Sequence, residues 1–267
     1  MNDTHATNVS IVIPTYNERE NLPLLIRRIS NALKDVNYEI IVVDDNSPDG
    51  TWRLAEELSK EFPIRVLRRE GKKGLSSAVM DGIAIANSEK VIVMDADLQH
   101  PPEILPLILK ALENNDLVVA SRYVPGGGVE NWSAFRKLVS FGARVLAYMI
   151  FPKVRKVKDP LSGFFGLKKS RISLSKLNPL GFKILLEILV KGKFDKTVEV
   201  PYIFHGRLHG KSKMGSKEIK NYIIHVIRLS RETGGFWRIL LLFTLGAILL
   251  IALVLYLIVL SGIILGI

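Results

Sequence analysis

The chain contains no cysteine, which excludes disulfides and thiolate metal sites but says nothing positive about compartment. No GxxxxGK segment followed by Ser or Thr occurs, and no GxGxxG follows the first apolar run, so a P-loop or dinucleotide reading has nothing to stand on. Any diphosphate has to be held by a cation and side chains instead. No repeat or low-complexity tract interrupts the sequence. The segment MNDTHATNVS lacks a basic n-region and an apolar h-region, so no secretory signal is expected and the soluble part is expected to stay where it is made.

A further absence is of charge. From Ile239 to Ile267 there is no charged residue, and the run LLLFTLGAILLIALVLYLIVL is long enough to cross roughly 30 Å of hydrocarbon, which takes about 20 residues. A buried core helix would be shorter and carry a polar face. Arg228, Arg231 and Arg238 precede the run and no basic residue follows it, which predicts a single-pass C-terminal anchor with the bulk of the chain cytoplasmic.

What is present is ample apolar and basic material. A chain of 267 residues with 48% hydrophobic content can bury a full α/β core. Its net charge of +11 suits nucleic acid, an anionic membrane surface or a phosphorylated substrate. Beside a membrane anchor the last two are the better readings, and no nucleic-acid partner is expected.

Apolar strand patterns alternate with amphipathic helix patterns at about thirty-residue spacing, predicting a mostly parallel sheet with helices on both faces. The strands are read at 9–13, 38–43, 64–67, 91–94 and 117–120, and the helices at 18–33, 51–62, 74–86 and 102–113. After Arg122 the pattern changes. Pro125-Gly126-Gly127-Gly128 is a loop, and 135–151 is amphipathic, suiting either a helix packed on the sheet or one lying in a membrane interface. Asp159 to Phe165 (DPLSGFF) returns the chain to strand, 181–191 is helical and 197–204 (TVEVPYIF) is a late strand. The helix expected over 218–232 leads to the anchor and is read as interfacial.

The stretch VIVMDADLQHPP (91–102) organises the chemistry. An apolar strand runs into Asp95 and Asp97, and Pro101 and Pro102 end it and suit the start of a helix. Two carboxylates at the C-terminal end of a parallel strand lie on the ligand-binding edge of an open α/β sheet, where they share a proton or hold a hard cation. Pro14-Thr15-Tyr16-Asn17-Glu18 and Asp44-Asp45 fall at the ends of the first two strands, so all three clusters are expected along one cleft. Taken singly, each is also an ordinary turn, since Asp and Asn favour turns for local reasons. The loop His205 to Lys213 is basic and glycine-punctuated. It is either a phosphate-handling segment or a solvated turn attracted to anionic lipid. His205 and His209 have no helix to align them as metal ligands, and His100, set before two prolines, caps or packs. No histidine is expected to be a catalyst.

The order VSIVIPTYNE, VVDDNSPDGT, GLSSAV, VMDADLQHPPE, SRY with a glycine-rich loop, and DPLSGFF resembles the GT-A fold glycosyltransferases of family 2, most closely the dolichyl-phosphate mannose synthases, from Val9 to about Tyr222. The resemblance implies that Pro14, Tyr16, Glu18 and Asp45 hold the nucleoside. It implies that Asp95, Asp97 and Gln99, with Ala96 between the acids, form the metal and diphosphate site for Mg²⁺ or Mn²⁺. It also implies that Arg122, Arg136, Arg207 and Lys213 handle the donor diphosphate and the acceptor phosphate, with Asp97, Arg122, Arg207 and Lys213 closest to the reaction.

The implied activity is inverting, metal-dependent transfer of mannose from GDP-mannose to dolichyl or another polyprenyl phosphate. A phosphate acceptor fits the residues, because it already carries charge near −2 with a second pKa of about 6 and needs no strong general base. The obstacle is electrostatic, and a divalent cation with arginines and lysines meets it. Rival readings are a polyprenyl-phosphate glucosyltransferase using UDP-glucose and a membrane-tethered scaffold. Paired, mutually repelling carboxylates speak against the scaffold. A processive polysaccharide synthase is disfavoured because no QxxRW motif is present. Many members of the resembled family carry several C-terminal spans where one is read here. The expected organisation is a catalytic domain over 1–215, a juxtamembrane helix over 216–236 and an anchor over 237–267.

Overall fold

In the computed structural model, residues 7–71, 74–178, 180–206, 215–241, 244–246, 248–249 and 251–253 are described. The strands are β1 (Val9–Thr15), β2 (Tyr38–Asp44), β3 (Ile64–Arg68), β4 (Lys90–Val93), β5 (Leu117–Ser121), β6 (Gly128–Val129), β7 (Phe165–Lys168), β8 (Thr197–Pro201) and β9 (Ile203–Phe204). The helices are α1 (Leu22–Ala32), α2 (Thr51–Leu58), α3 (Leu75–Ile85), α4 (Leu105–Asn114), α5 (Ala134–Ile150), α6 (Ile184–Lys191) and α7 (Ser216–Glu232).

A seven-stranded sheet runs β3-β2-β1-β4-β7-β5-β8. β1 is parallel to β2 and β4, β2 to β3, and β5 to β8, while β7 runs antiparallel between β4 and β5. The inverted strand has a consequence for the site. Its N-terminal end lies at the edge where its neighbours' C-terminal ends lie, so the DPLSGFF turn joins the strand-end clusters there. Gly166 in β7 lets α4 seat closely, since a Cβ there would stand 2.7 Å from Ile108 Cγ2 and 2.8 Å from Leu112 Cδ1.

Side-chain alternation divides the core between the two faces of the sheet. Ile11 and Ile13 of β1 pack with Leu22, Ile26 and Ile29 of α1. Val12 packs on the other face with Val79 and Ile83 of α3, and that cluster extends to Ile150, Leu185, Tyr222, Val226 and Leu229. So α7, read from sequence as an interfacial helix, buries one face in the fold, and Tyr222 Oη donates to Ala143 O at 2.6 Å. Its other face exposes Ile219, Ile223 and Ile224. The amphipathic segment after the glycine loop forms α5, which is buried at one end and exposed at the other. Ala147 and Ile150 are buried near its end, whereas Phe135, Leu138 and Phe141 near its start are exposed.

Several expected elements differ in extent: the helix expected over 51–62 ends at Leu58, that expected over 181–191 starts at Ile184, and 159–164 is a loop leading into β7. α1 starts at Leu22 rather than at Glu18, because Asn17 takes a left-handed φ of 58° and the Asn17 and Glu18 N–H groups donate to Ser47 Oγ and Thr51 Oγ1. The single strand expected over 197–204 is two. The β5 ladder runs as far as Tyr202 N, which donates to Ser121 O at 3.2 Å, and the chain then pairs as β9 with β6. Phe236–Leu253 is a helix long and apolar enough to cross a membrane. The remainder of the expected anchor lies outside the described residues.

Candidate functional site at the carboxyl edge of the sheet

At the β1 and β2 ends, Asp44 is consumed by the fold. Its carboxylate accepts from Thr15 Oγ1 at 2.8 Å, Ser47 N at 2.7 Å and Ser47 Oγ at 2.6 Å. Asp45, one residue on, is held from the side. Arg69 Nε donates to its Oδ1 at 2.7 Å, Arg69 Nη2 pairs with the same oxygen, and Gly74 N donates to Oδ2 at 2.9 Å. Arg69 is itself buried and also reaches Asp81 at 2.9 Å. This arginine was not picked out by sequence reasoning, which had only the general affinity of arginine for a buried carboxylate to go on. Pro14 and Glu18 are buried and Tyr16 is half-buried at the same edge, with Glu18 Oε2 accepting from Asn21 Nδ2 at 2.8 Å.

At the β4 end, Ala96, Asp97 and Gln99 are buried and the Asp95 side chain is 31% exposed. Leu98 between them adopts φ 62°, a left-handed conformation costly for a bulky residue at about 1–3 kcal/mol and characteristic of functional turns. Gln99 N donates to Asp97 Oδ1 at 3.2 Å, and Gln99 Nε2 donates to His205 O at 3.0 Å, which leaves the Gln99 amide oxygen as an acceptor. His205 N in turn donates to Gln99 O at 3.1 Å. The turn after β4 thus fixes the chain just before the basic loop.

His100 is a strut. Its Nδ1 accepts from Asp95 N at 3.1 Å, and its ring stacks on Phe164 at 5.2 Å with Tyr202 and Phe204 edge-on. Burial lowers its pKa to about 4, against the opposing pull of Asp97, so it is neutral at physiological pH and makes no ion pair with Asp95.

The loop 159–163 meets three partners in turn. Asp159 receives Arg122 Nε at 2.8 Å and Nη2 at 2.7 Å; Leu161 O receives Lys183 Nζ at 2.9 Å; Gly163 lies beside Asp95. Burial works against charge on Arg122, but Asp159 outweighs it and keeps the guanidinium charged. Arg136 lies 4.3 Å over the Trp132 ring. Arg122, Arg136, Asp95 and Asp97 are therefore gathered at one edge, while Arg207 and Lys213 lie outside the described residues. DPLSGFF was legible as a motif, but the separate roles of Asp159, Leu161 and Gly163 were not.

Among the described residues no group of three or more His, Cys, Asp or Glu side chains could hold a metal ion. The donors present, two carboxylates and an amide oxygen, are all oxygen, as a hard cation requires. They suit an ion such as Mg²⁺ that keeps waters and takes substrate phosphates as its other ligands.

Among solved structures, glucosyl-3-phosphoglycerate synthase from Mycobacterium tuberculosis, in complex with Mn²⁺, UDP and glucosyl-3-phosphoglycerate, has a TM-score of 0.61 at 22% identity, covering 85% of this chain and 80% of that one. Mannosyl-3-phosphoglycerate synthase from Rubrobacter xylanophilus gives 0.62 at 20% identity, covering 83% and 72%. The architecture is that of a GT-A glycosyltransferase. Residues 10–170 match the family model described as Glycosyl transferase family 2. The dolichol-phosphate mannosyltransferase of Pyrococcus furiosus is 53% identical over 232 residues, covering 86% of this chain and 66% of that protein's length. The protein of the same name from Saccharomyces cerevisiae is 35% identical over 227 residues, covering 80% and 84%. The chain belongs to glycosyl transferase family 2, among the dolichol-phosphate mannosyltransferases.

Proposed function

We propose that the protein transfers mannose from GDP-mannose to dolichyl or another polyprenyl phosphate, with inversion and with Mg²⁺ or Mn²⁺, at the cytoplasmic face of a membrane that its C-terminal helix enters. The observation that carries this reading is the meeting, at one sheet edge, of an all-oxygen candidate cation site (Asp95, Asp97, Gln99) with a cationic group (Arg122, Arg136), in a chain whose relatives are named dolichol-phosphate mannosyltransferases. An acceptor phosphate oxygen forms the new bond to the mannose anomeric carbon as the bond from that carbon to the diphosphate breaks, and GDP leaves. The acceptor arrives as an anion, so none of the carboxylates has to remove a proton. When bound, the cation neutralises charge developing on the leaving diphosphate.

Within this reading Asp95, Asp97 and Gln99 hold the cation, with Ala96 lining the turn. Pro14, Tyr16, Glu18 and Asp45 receive the nucleoside, the last with its carboxylate fixed by Arg69. Arg122 and Arg136, joined by Arg207 and Lys213 on sequence grounds, lower the repulsion between the two phosphorylated substrates. The exposed apolar residues at the start of α5 and on α7 face the lipid that carries the acceptor.

Membranes containing the protein, incubated with labelled GDP-mannose or UDP-glucose and a polyprenyl phosphate, test the proposal. Mannose transfer that stops on chelation and returns with Mn²⁺ or Mg²⁺ is expected. Transfer that survives chelation removes the metal assignment, transfer from UDP-glucose alone replaces the donor, and no transfer from either leaves a scaffold.

A further inference from the structure

Lys183, the residue before α6, is the strongest feature at this edge that the family resemblance left unassigned. Its ammonium donates to Leu161 O at 2.9 Å, a neutral acceptor, and among the described residues it has no carboxylate within ion-pair distance. Its electrostatic neighbours are Arg122, Asp159, Asp95 and Arg136. Of the acids, Asp159 is already matched to Arg122 by a two-point pair, and Asp95 belongs to the cation site. The ammonium and two guanidiniums are thus brought together in a partly desolvated place, where a phosphate entering among them would be favourably met. Burial first, and Arg122 next, lower the Lys183 pKa to about 8, the direction expected of a cation whose counter-ion comes with the substrate.

The two phosphates of the proposed reaction differ in their needs. The donor diphosphate has the Asp95–Asp97 cation. The acceptor monophosphate has no metal of its own and requires cationic side chains, among which lysine serves as a compact point charge for phosphate. Arg136 stands in the first turns of α5 beside the exposed Phe135 and Leu138, on the side from which a lipid-borne phosphate arrives.

We propose that Lys183 is a phosphate ligand of the acceptor site and forms, with Arg122 and Arg136, a three-cation cradle for the phosphate monoester of the polyprenyl acceptor. The inference rests on the reading of the acceptor given above. It makes Leu161 O the anchor that aims the ammonium when no phosphate is present.

The experiment uses full-length K183M and K183R. Equilibrium binding of a short-chain polyprenyl monophosphate is measured without donor, and KM is determined separately for acceptor and donor. One hydrogen bond to a charged group contributes about 1.5–3 kcal/mol, so K183M is expected to weaken acceptor binding and raise acceptor KM by about 10- to 100-fold. Donor KM stays within about twofold of wild type, K183R recovers part of the loss, and the Tm of unliganded K183M does not fall. Acceptor binding equal to wild type, an equal rise in both KM values, or a lowered Tm that accounts for the loss overturns the cradle. A wild-type chain that binds the polyprenyl monophosphate through Lys183 yet transfers no mannose overturns the proposed function and leaves the cradle standing.

Discussion

Gly163 faces Asp95 with no side chain. A Cβ at position 163 would stand 3.1 Å from Asp95 Oδ2 and 3.2 Å from His100 Cε1. Both distances are tighter than ordinary van der Waals contact, and both fall on the turn that carries the proposed cation ligands. Gly163→Ala is therefore expected to push the Asp95 carboxylate off its position and lower the affinity for Mn²⁺ by about 10- to 100-fold, the range seen when the support of a metal ligand is disturbed. Calorimetric Mn²⁺ titration of variant and wild type checks this. Unchanged Mn²⁺ affinity would mean that Asp95 is free to move aside.

The Arg122 and Asp159 pair tests whether the loop before β7 is fixed electrostatically. Both side chains are buried, so removing one partner leaves an uncompensated interior charge, which destabilises by about 3–5 kcal/mol. Asp159→Leu is expected to lower Tm sharply and Arg122→Met/Asp159→Leu to recover much of the loss. Thermal unfolding in detergent decides it, and a double variant no better than the single one would refute the pairing argument.

Arg69 is expected to act on the donor through Asp45. Arg69→Met leaves Asp45 with the Gly74 N–H alone, so its carboxylate is free to rotate and donor KM rises by about tenfold or more while acceptor KM holds. Arg69→Lys restores the charge without the two-nitrogen contact and is expected to fall between. Steady-state kinetics with each substrate varied would show it.

Glu187, one turn of α6 beyond Lys183, gives a pH signature of its own. Burial alone would raise its pKa, but His225 Nε2 at 3.2 Å, Asn178 N at 2.7 Å and Lys191 Nζ at 2.5 Å outweigh burial and hold it at about 2. The folded-state value lies below the unfolded one of about 4.3. The stabilisation is therefore complete above pH 5 and is lost as pH falls toward 2, on the order of 3 kcal/mol in all. Glu187→Gln is expected to lower Tm at pH 7 and to converge on wild type in acid. A gap that stays constant with pH would contradict the linkage.

The sequence by itself determined the alternation of strand and helix, the position of DADLQ at a strand end, and the apolar C-terminal run. Each of these follows from local periodicity, proline placement or the length of an uncharged segment. Asp95 and Asp97 could be found that way because a paired acid after an apolar strand is visible within a few residues. The partners of Asp45 and Asp95 could not. Arg69 reaches Asp45 from the same end of the adjacent parallel strand, and Gly163 meets Asp95 only because β7 is inserted antiparallel between β4 and β5. Lys183 read as no more than the start of a short helix. Its relation to Arg122, Arg136 and Asp159 exists because loop 159–163 turns back across the sheet edge. Charge and apolar character are written along the chain, but which charges share a small, poorly solvated volume depends on strand order and direction, and those are decided by the tertiary packing alone.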